Sequence, residues 1–309
     1  MSERGSLEII IAKSAGTCFG VEAAIDLAET VQMPILGPLV HNPQIVGDLA
    51  QKGIPILERY ADLDTLGDVD EVVITAHGYP KELKEALAQR GVKFHDATCP
   101  VLLKWVYKKI ETFDEEGYRI VLVGDPQHAE IIASRSYGRN ISVVYDAEAV
   151  DALPDDVDKA VAICQTTITR EKFQHLVDLI RERKYPHLRA VDTRCKPVKN
   201  QQEAVAMLSQ WVDAMIIIGG LDSSNTTNLA RISQKHLPES TYHIDSKERL
   251  DRKWLTDVLH LGIGAGTSTP GGQIDEVAQR IVDLHGGDVV IRRDTQEDGE
   301  LVAIDGTEL

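Results

Sequence analysis

The sequence has few aromatic residues and a clear deficit of positive charge. Aromatic side chains make up 5% of its 309 residues, and 33 basic residues stand against 49 acidic ones, which gives a net charge of −16. Binding to nucleic acid or to an anionic membrane surface requires a basic face, so this balance argues against both partners. No run approaches the roughly 18 apolar residues of a membrane-spanning helix, and the polar start MSERGSLE lacks the apolar core of a secretory signal. We therefore expect a cytosolic protein.

Cysteine is scarce as well, and its placement excludes several kinds of site. The four cysteines lie at positions 18, 99, 164 and 195. They lack the closely spaced pairs that are typical of zinc knuckles and of thioredoxin-like redox motifs. Disulfides are not expected in a reducing compartment. The remaining roles are metal binding, catalysis and plain burial.

Short β-branched or aliphatic runs alternate with helix-length amphipathic segments along most of the chain. Predicted strands include LEIIIA, EVVITA, RIVLVG and AMIIIGG. The predicted helices include Val21–Val31, Lys81–Arg90, Pro100–Glu116, Arg170–Lys184, Gln201–Trp211 and Gly272–Leu284. This alternation predicts βαβ units and mainly parallel sheets, which is the α/β class. Ligands bind beyond the carboxyl ends of such strands, so the residues that follow each strand are candidates for a site.

The strand ends repeat one order: a cysteine, followed by two strand ends with hydrogen-bonding side chains. The three sets are Cys18 with His41 and His77, Cys99 with His128 and Thr166, and Cys195 with Ser223 and Ser268. We interpret this order as three related α/β modules, residues 18–99, 100–194 and 195–285, each directing one cysteine to a common centre. An N-terminal strand, residues 7–13, is expected to join the third module, and residues 286–309 are expected to form an acidic C-terminal appendage.

Three cysteines from three modules are compatible with more than one role. Three thiolates on a four-iron cluster leave one iron open, and an open metal site is a catalytic one. On composition alone, three buried core cysteines are the more common arrangement. Cys164 fits burial, because it continues the apolar run AVAIC and precedes the strand-end position of Thr166.

Eight short motifs carry more information than the spacing of the cysteines. In chain order they are GTCFGVEAAID, GPLVHN, TAHG, DATCP, VGDPQHAE, QTT, SSN and GAGTSTP. Together they closely resemble the 4-hydroxy-3-methylbut-2-enyl diphosphate reductase family, from about Ile9 to Val282. The resemblance implies three α/β modules arranged as a trefoil around a central [4Fe–4S] cluster, with Cys18, Cys99 and Cys195 as its three cysteine ligands. Two segments depart from the family: KPVK follows Cys195 in place of small neutral residues, and HAE replaces His-Pro-Glu.

The resemblance also implies the reaction. It is the reductive dehydroxylation of (E)-4-hydroxy-3-methylbut-2-enyl diphosphate to isopentenyl diphosphate and dimethylallyl diphosphate, the last step of the non-mevalonate isoprenoid pathway. The open iron binds the substrate hydroxyl, and Glu130 donates the proton with which it leaves as water. The implied substrate-binding residues are His41, His77, His128, Thr166, Ser223, Ser224, Asn225 and Ser268. Neutral donors and helix N-termini can bind a diphosphate in a protein that is itself acidic.

Such a reaction needs an external electron donor, for which we expect a ferredoxin or a flavodoxin. Lys104, Lys108 and Lys109 follow Cys99 in the run KWVYKK. They could steer an acidic donor towards the cluster, although solvated helix faces explain them as well. Two other functions remain open: a redox-neutral dehydratase with an open-iron cluster, and a binder of a phosphorylated metabolite without enzymatic activity.

Overall fold

Three parallel sheets with flanking helices make up the described part of the protein. The computed structural model describes residues 6–60, 66, 69–155 and 157–294. The strands in these ranges are β1 (Leu7–Ile11), β2 (Ile35–Leu36), β3 (Ile56–Leu57), β4 (Glu71–Ile74), β5 (Lys93–Asp96), β6 (Arg119–Val123), β7 (Ile141–Val144), β8 (Ala160–Cys164), β9 (Arg189–Val191), β10 (Ala214–Ile218), β11 (Thr241–Ile244), β12 (His260–Ala265) and β13 (Val289–Arg293). Every described strand pairing is parallel. The predicted α/β class with parallel sheets is confirmed.

Helices connect most of these strands. They are α1 (Phe19–Val31), α2 (Pro43–Gln51), α3 (Lys81–Gln89), α4 (Leu103–Glu115), α5 (Ala129–Ser134), α6 (Ala147–Asp151), α7 (Arg170–Arg183), α8 (Lys196–Leu208), α9 (Ser224–Gln234) and α10 (Gly271–His285). Short 3₁₀ helices cover Arg135–Tyr137, Lys247–Arg249 and Arg252–Leu255. Within the described ranges, none of the helices has both the length and the apolar character that crossing a bilayer requires.

The chain divides into two compact units. The first contains the described parts of Met1–Phe19, His41–Asp48 and Lys196–Val302. The second contains Gly20–Val40 and the described part of Leu49–Cys195. The predicted boundaries of three modules stay a prediction.

The first unit is built on a five-stranded sheet with the order β11-β10-β12-β1-β13. Its central strands are nearly continuous aliphatic runs, because helices cover both faces of such a sheet. Ile9, Ile216 and Ile263 are fully buried there. The segment assigned to the C-terminal appendage contributes β13, whose Val289 pairs with Leu7 of β1. Residues 295–309 of that segment lie outside the described residues.

The second unit contains two four-stranded sheets, with the orders β3-β2-β4-β5 and β7-β6-β8-β9. In the second of these sheets, alternate residues of β6 pack against different clusters. Val121 and Val123 contact the cluster that includes Phe173 of α7, while Ile120 and Leu122 contact the one that includes α4. Both faces of β6 are therefore covered by helices, which leaves the strand ends as the accessible edge.

Several boundaries differ from those that the pattern predicts. The aliphatic run MPILGPLV predicts a longer strand than β2, which ends at Leu36 because Gly37 adopts φ 97° and its N donates to the carbonyl oxygen of Ile35 at 3.0 Å. Helix α8 begins at Lys196 rather than Gln201, so KPVK forms its first turn. Pro197 is tolerated there, because the first-turn N–H groups of a helix have no intrahelical partner.

Asp114, at the end of α4, provides a test of how the second unit is held together. It is buried and accepts hydrogen bonds from N and Nε of Arg139, both at 2.8 Å, and from N of Asn140 at 3.3 Å. Burial raises the pKa of Asp114, but these bonds outweigh burial and the net pKa is lowered. We expect Asp114→Ala to lower the free energy of unfolding in urea by about 1–3 kcal/mol at neutral pH.

The loss should shrink in acid. A carboxyl whose pKa is lowered by folding stabilises the protein above its unfolded pKa, about 3.9, and loses this contribution as pH falls through the folded value. The control is Asp155→Ala, which removes an exposed ion pair with Lys184 and should cost at most about 1 kcal/mol. Equal losses from the two variants would contradict a specific role for Asp114.

Candidate functional site

Cys99 and His77 lie at adjacent strand ends of the second unit. β4 ends at Ile74 and β5 ends at Asp96. The backbone N of Cys99 donates to the carbonyl oxygen of Ala76 at 3.2 Å. This bond holds Cys99 beside the turn that carries His77. The structure thus brings the cysteine and the histidine together at one edge of the sheet.

The carboxyl group of Glu130 is bonded at both oxygens to Thr166. Glu130 lies in the first turn of α5 and is 3% exposed. Its Oε1 accepts from N of Thr166 at 2.7 Å, and its Oε2 lies 2.6 Å from Oγ1 of Thr166. Burial raises the pKa of Glu130 to about 7, although the bonds from Thr166 favour the carboxylate. The group therefore changes protonation state near neutral pH, as suits a general acid.

His128 is the N-cap residue of α5. Its Nδ1 accepts a hydrogen bond from N of Glu130 at 3.2 Å. A neutral imidazole that accepts at Nδ1 carries its hydrogen on Nε2, which is then a donor. The His128 ring also meets the His77 ring edge to face, with 5.7 Å between ring centroids. This contact joins strand ends from both sheets of the second unit.

Cys195 follows β9 and is hydrogen-bonded to Thr166, the threonine that also bonds to Glu130. Its N donates to the carbonyl oxygen of Thr166 at 2.9 Å. Immediately before it, Nη2 of Arg194 lies 2.7 Å from Oδ2 of the buried Asp192 and fixes the turn. Cys195 and Cys99 also pack against one apolar cluster of this unit. The second unit therefore brings together six of the predicted site residues: His77, Cys99, His128, Glu130, Thr166 and Cys195.

In the first unit, predicted diphosphate ligands come from three separate loops. Ser223 caps the N-terminus of α9 with its side chain, and Ser224 and Asn225 form the first turn of that helix. Ser268 follows β12, and its Oγ donates to the carbonyl oxygen of His41 at 3.4 Å. The loops that carry His41 and Ser268 are therefore in direct contact.

Cys18 lies beside one of these loops. Its N donates to the carbonyl oxygen of Thr267 at 3.1 Å. Gln201 of α8 fixes the segment that leads to Cys18, because its Nε2 donates to the carbonyl oxygen of Gly16 at 3.0 Å. Oε1 of the same side chain accepts from Nδ2 of Asn225 at 3.0 Å. One buried amide thus connects the Cys18 loop to the SSN motif.

Sequence reasoning missed the polar side chains that support the predicted residues. Asn42 is 1% exposed, and its Nδ2 donates to the carbonyl oxygen of Ser268 at 2.6 Å and to Oε1 of Gln273 at 2.9 Å. Asp222 lies against His41, with 3.1 Å between Oδ2 and Nδ1. These partners are more than 180 positions apart in the chain, so no local pattern reveals them.

Gln201 did leave a signal in the sequence. Buried Val198 and Val205 stand three positions before and four positions after it, which places all three on one helical stripe. A polar residue on a buried stripe requires a hydrogen-bonding partner inside the protein. Starting the predicted helix at Gln201 hid this stripe.

Cys164 differs from the other three cysteines. It is 2% exposed in the core of the second unit, whereas Cys18, Cys99 and Cys195 are partly exposed. Burial raises the pKa of the Cys164 thiol to about 12. A thiol of this kind is a poor metal ligand, because metals bind the thiolate form.

A site for a single metal ion requires a different arrangement of ligands from a site for an iron–sulfur cluster. Across residues 6–294, apart from the gaps in their description, no three His, Cys, Asp or Glu side chains gather as they would around one metal ion. The cysteines of an iron–sulfur cluster bind different irons, so they do not need to meet at a single point.

Comparisons with known proteins agree with the motifs. A family model described as LytB protein matches residues 9–282. A 4-hydroxy-3-methylbut-2-enyl diphosphate reductase of Caldanaerobacter subterraneus subsp. tengcongensis is 37% identical over 290 residues, which cover 91% of this chain and 99% of the relative. The enzyme of that name from Aquifex aeolicus is 37% identical over 295 residues, covering 92% and 99%.

Solved structures show the same relationship. One of (E)-4-hydroxy-3-methyl-but-2-enyl diphosphate reductase, described as the terminal enzyme of the non-mevalonate pathway, is 36% identical with a TM-score of 0.62, covering 90% of this chain and 99% of that one. The E-1-hydroxy-2-methyl-but-2-enyl-4-diphosphate reductase of Plasmodium falciparum shares the fold, with a TM-score of 0.87 at 22% identity over 97% and 96% of the two chains. The chain therefore belongs to the LytB protein family, the family of the 4-hydroxy-3-methylbut-2-enyl diphosphate reductases, as its motifs predict.

Proposed function

We propose that the protein reduces (E)-4-hydroxy-3-methylbut-2-enyl diphosphate to isopentenyl diphosphate and dimethylallyl diphosphate. The allylic C–O bond breaks, two electrons and two protons enter, and the hydroxyl leaves as water. The observation that carries the proposal is Glu130, a buried carboxyl group with a pKa of about 7, in a chain whose relatives bear the name of this reductase. Hydroxide is a poor leaving group, so an acid that is still protonated near neutral pH is the group that the reaction requires.

We assign a [4Fe–4S] cluster to Cys18, Cys99 and Cys195. The chemistry of these donors fits, because the three thiols are partly exposed and each residue is fixed by a backbone hydrogen bond to a strand-end loop. Cys164, with its raised pKa, is not part of the set. When bound, the cluster would supply the electrons and a Lewis-acidic iron with an open position.

Glu130 and Thr166 form the proton-delivery pair in this proposal. Oε1 of Glu130 already accepts from N of Thr166, so the acidic proton belongs on Oε2. This oxygen lies 2.6 Å from Oγ1 of Thr166. A hydroxyl can accept one hydrogen bond while donating another, so Oγ1 can receive the proton and pass its own onward.

The diphosphate would be bound by histidine, serine and asparagine side chains. In the second unit we assign this role to His77 and to His128, whose Nε2 carries the hydrogen because Nδ1 accepts from the backbone. In the first unit we assign it to four residues, His41, Ser224, Asn225 and Ser268, together with the capping residue Ser223. The N-terminus of α9 adds oriented N–H groups and the positive end of a helix dipole.

Two further functions are compatible with parts of this arrangement. A redox-neutral dehydratase would also use an open-iron cluster, but it needs no electrons, so activity that depends on added reductant would exclude it. A non-enzymatic binder of a phosphorylated metabolite needs no cluster. Protein purified without oxygen would then lack the broad absorbance near ~400 nm that iron–sulfur charge transfer produces.

The electron donor in this proposal is an acidic carrier protein of the ferredoxin or flavodoxin type. The face of α4 next to Cys99 presents Lys104 and Lys108, both exposed, and N of Lys104 lies 3.4 Å from the carbonyl oxygen of Cys99. Val101, which is 52% exposed, adds an exposed apolar side chain that lies in the sequence between Cys99 and the lysines. Since the whole protein repels acidic partners, a local basic surface beside a cluster ligand would favour productive encounters.

The cysteine assignment predicts a sharp division among four variants. Cys18→Ser, Cys99→Ser and Cys195→Ser should each lose iron and activity, while Cys164→Ser should retain both. Iron and acid-labile sulfide analysis of anaerobically purified protein measures this directly. Loss of the cluster in Cys164→Ser alone would show that the ligand set is wrong.

The proton-delivery assignment predicts that turnover depends on the protonated form of Glu130. Its rate should therefore fall as pH rises through about 7. Glu130→Gln should keep a full cluster and near-normal substrate affinity but lower turnover by the ~10²–10⁴-fold typical of a lost general acid. A fully loaded Glu130→Gln enzyme with near-normal turnover would place the proton donor elsewhere.

The docking assignment predicts a difference between two kinds of reductant. Charge reversal at Lys104 and Lys108 should slow turnover with a reduced carrier protein and leave turnover with a small chemical reductant unchanged. Reversal at the exposed pair Arg252 and Lys253 in the first unit makes the same change in net charge and serves as the control. Equal slowing by both double variants would attribute the effect to net charge rather than to docking.

A further inference from the structure

A carboxylate stands where an anion is expected to bind. Asp222 ends the turn that precedes Ser223, and its Oδ2 lies 3.1 Å from Nδ1 of His41. The Asp222 side chain is 68% exposed and that of His41 is 19% exposed. By charge alone, Asp222 would repel the diphosphate that we assign to His41, so its position requires an explanation.

The contact between this turn and His41 is built into the backbone. A Cβ atom at Gly220 would overlap the carbonyl oxygen of His41 and would lie 2.9 Å from Oδ1 of Asp222. The turn can therefore approach His41 only because residue 220 is glycine. Oγ of Ser268 donates to the same carbonyl oxygen of His41.

Asn42 fixes the neighbouring position in the chain. Its buried amide bonds to the carbonyl oxygen of Ser268 and to Gln273 of α10. Hydrogen bonds from Ser268 to His41 and from Asn42 to Ser268 thus fix the backbone at His41, which leaves the rotation of the imidazole ring to be set. Asp222 sets it by holding Nδ1.

This contact determines which nitrogen faces a ligand. An ionised carboxylate only accepts hydrogen bonds, so the Nδ1 that faces Asp222 carries a hydrogen. A phosphate oxygen likewise accepts, so a ring that binds both anions carries hydrogens on Nδ1 and Nε2 and lies between them as an imidazolium. A carboxylate that orients a histidine through its second nitrogen is a recurrent way to fix such a ring.

We propose that Asp222 is a positioning residue for the substrate: through Nδ1 it holds His41 with a donating Nε2 towards the diphosphate. This inference rests on the proposed role of His41 in diphosphate binding. The inference concerns how the His41 ring is oriented and which of its nitrogens carry hydrogens. Its prediction is therefore the opposite of the one that charge repulsion between Asp222 and the diphosphate would give. Removing the carboxylate should weaken the binding of diphosphate rather than strengthen it.

The test uses the cluster-containing protein and inorganic diphosphate as the probe. We expect Asp222→Ala to weaken diphosphate binding about 10-fold in calorimetry, a loss of about 1.4 kcal/mol. The KM for substrate should rise in parallel, with kcat and the cluster absorbance unchanged. Asp222→Asn, whose amide can still bond to the ring, should recover part of the affinity. Unchanged or tighter diphosphate binding in Asp222→Ala would overturn the inference.

A double-mutant cycle shows whether Asp222 acts through His41. If it does, Asp222→Ala should have no further effect on diphosphate affinity in a His41→Ala background. An equal effect in both backgrounds would contradict the inference. Asp283→Ala on α10 removes one exposed negative charge of the same unit, where Asp283 bonds to Gln279, and should leave diphosphate binding unchanged.

The cycle also separates this inference from the proposed function. If His41→Ala weakens diphosphate binding and Asp222→Ala does not, the role of Asp222 fails and the role of His41 stands. If His41→Ala leaves the affinity unchanged, the assignment of His41 to the diphosphate fails, and the role of Asp222 fails with it.

Discussion

The arrangement of the second unit depends on the three hydrogen bonds of Thr166. Its N and Oγ1 hold the two carboxyl oxygens of Glu130, and its carbonyl oxygen accepts from N of Cys195. One residue at the end of β8 therefore fixes the position of an acidic group and of a thiol. Moving β8 relative to its neighbours would disturb both together, and the strand is fully buried among helices and strands that resist such movement.

Burial gives Glu130 its chemical character. Two hydrogen bonds from Thr166 would by themselves stabilise the carboxylate, yet the removal of water from around the group outweighs them and raises its pKa. The same effect acts on Cys164, where it keeps a thiol neutral and inert. Burial thus lets one side chain exchange a proton near neutral pH, and keeps the other in the thiol form, which binds metals poorly.

The sequence predicted most of the positions at which strands end, the parallel α/β class and the family. These features depend on local patterns: aliphatic runs, the spacing of helices, and short motifs with fixed letters. It did not predict Asp222 or Asn42 as supporting residues, because their partners lie in distant parts of the chain.

The pairing of β1 between β12 and β13 has a consequence for synthesis of the chain on the ribosome. β1 emerges before the other described strands, whereas its partners β12 and β13 are the last two of them, since β13 ends at Arg293. The strands of the second unit, by contrast, all lie between β2 and β9 and are complete before Cys195. The apolar segment LEIII therefore remains without its partner strands while about 250 residues are added at 5–20 residues per second. Over those tens of seconds the acidic unit that contains Glu130 can already fold, whereas the segment leading to Cys18 remains exposed to chaperones.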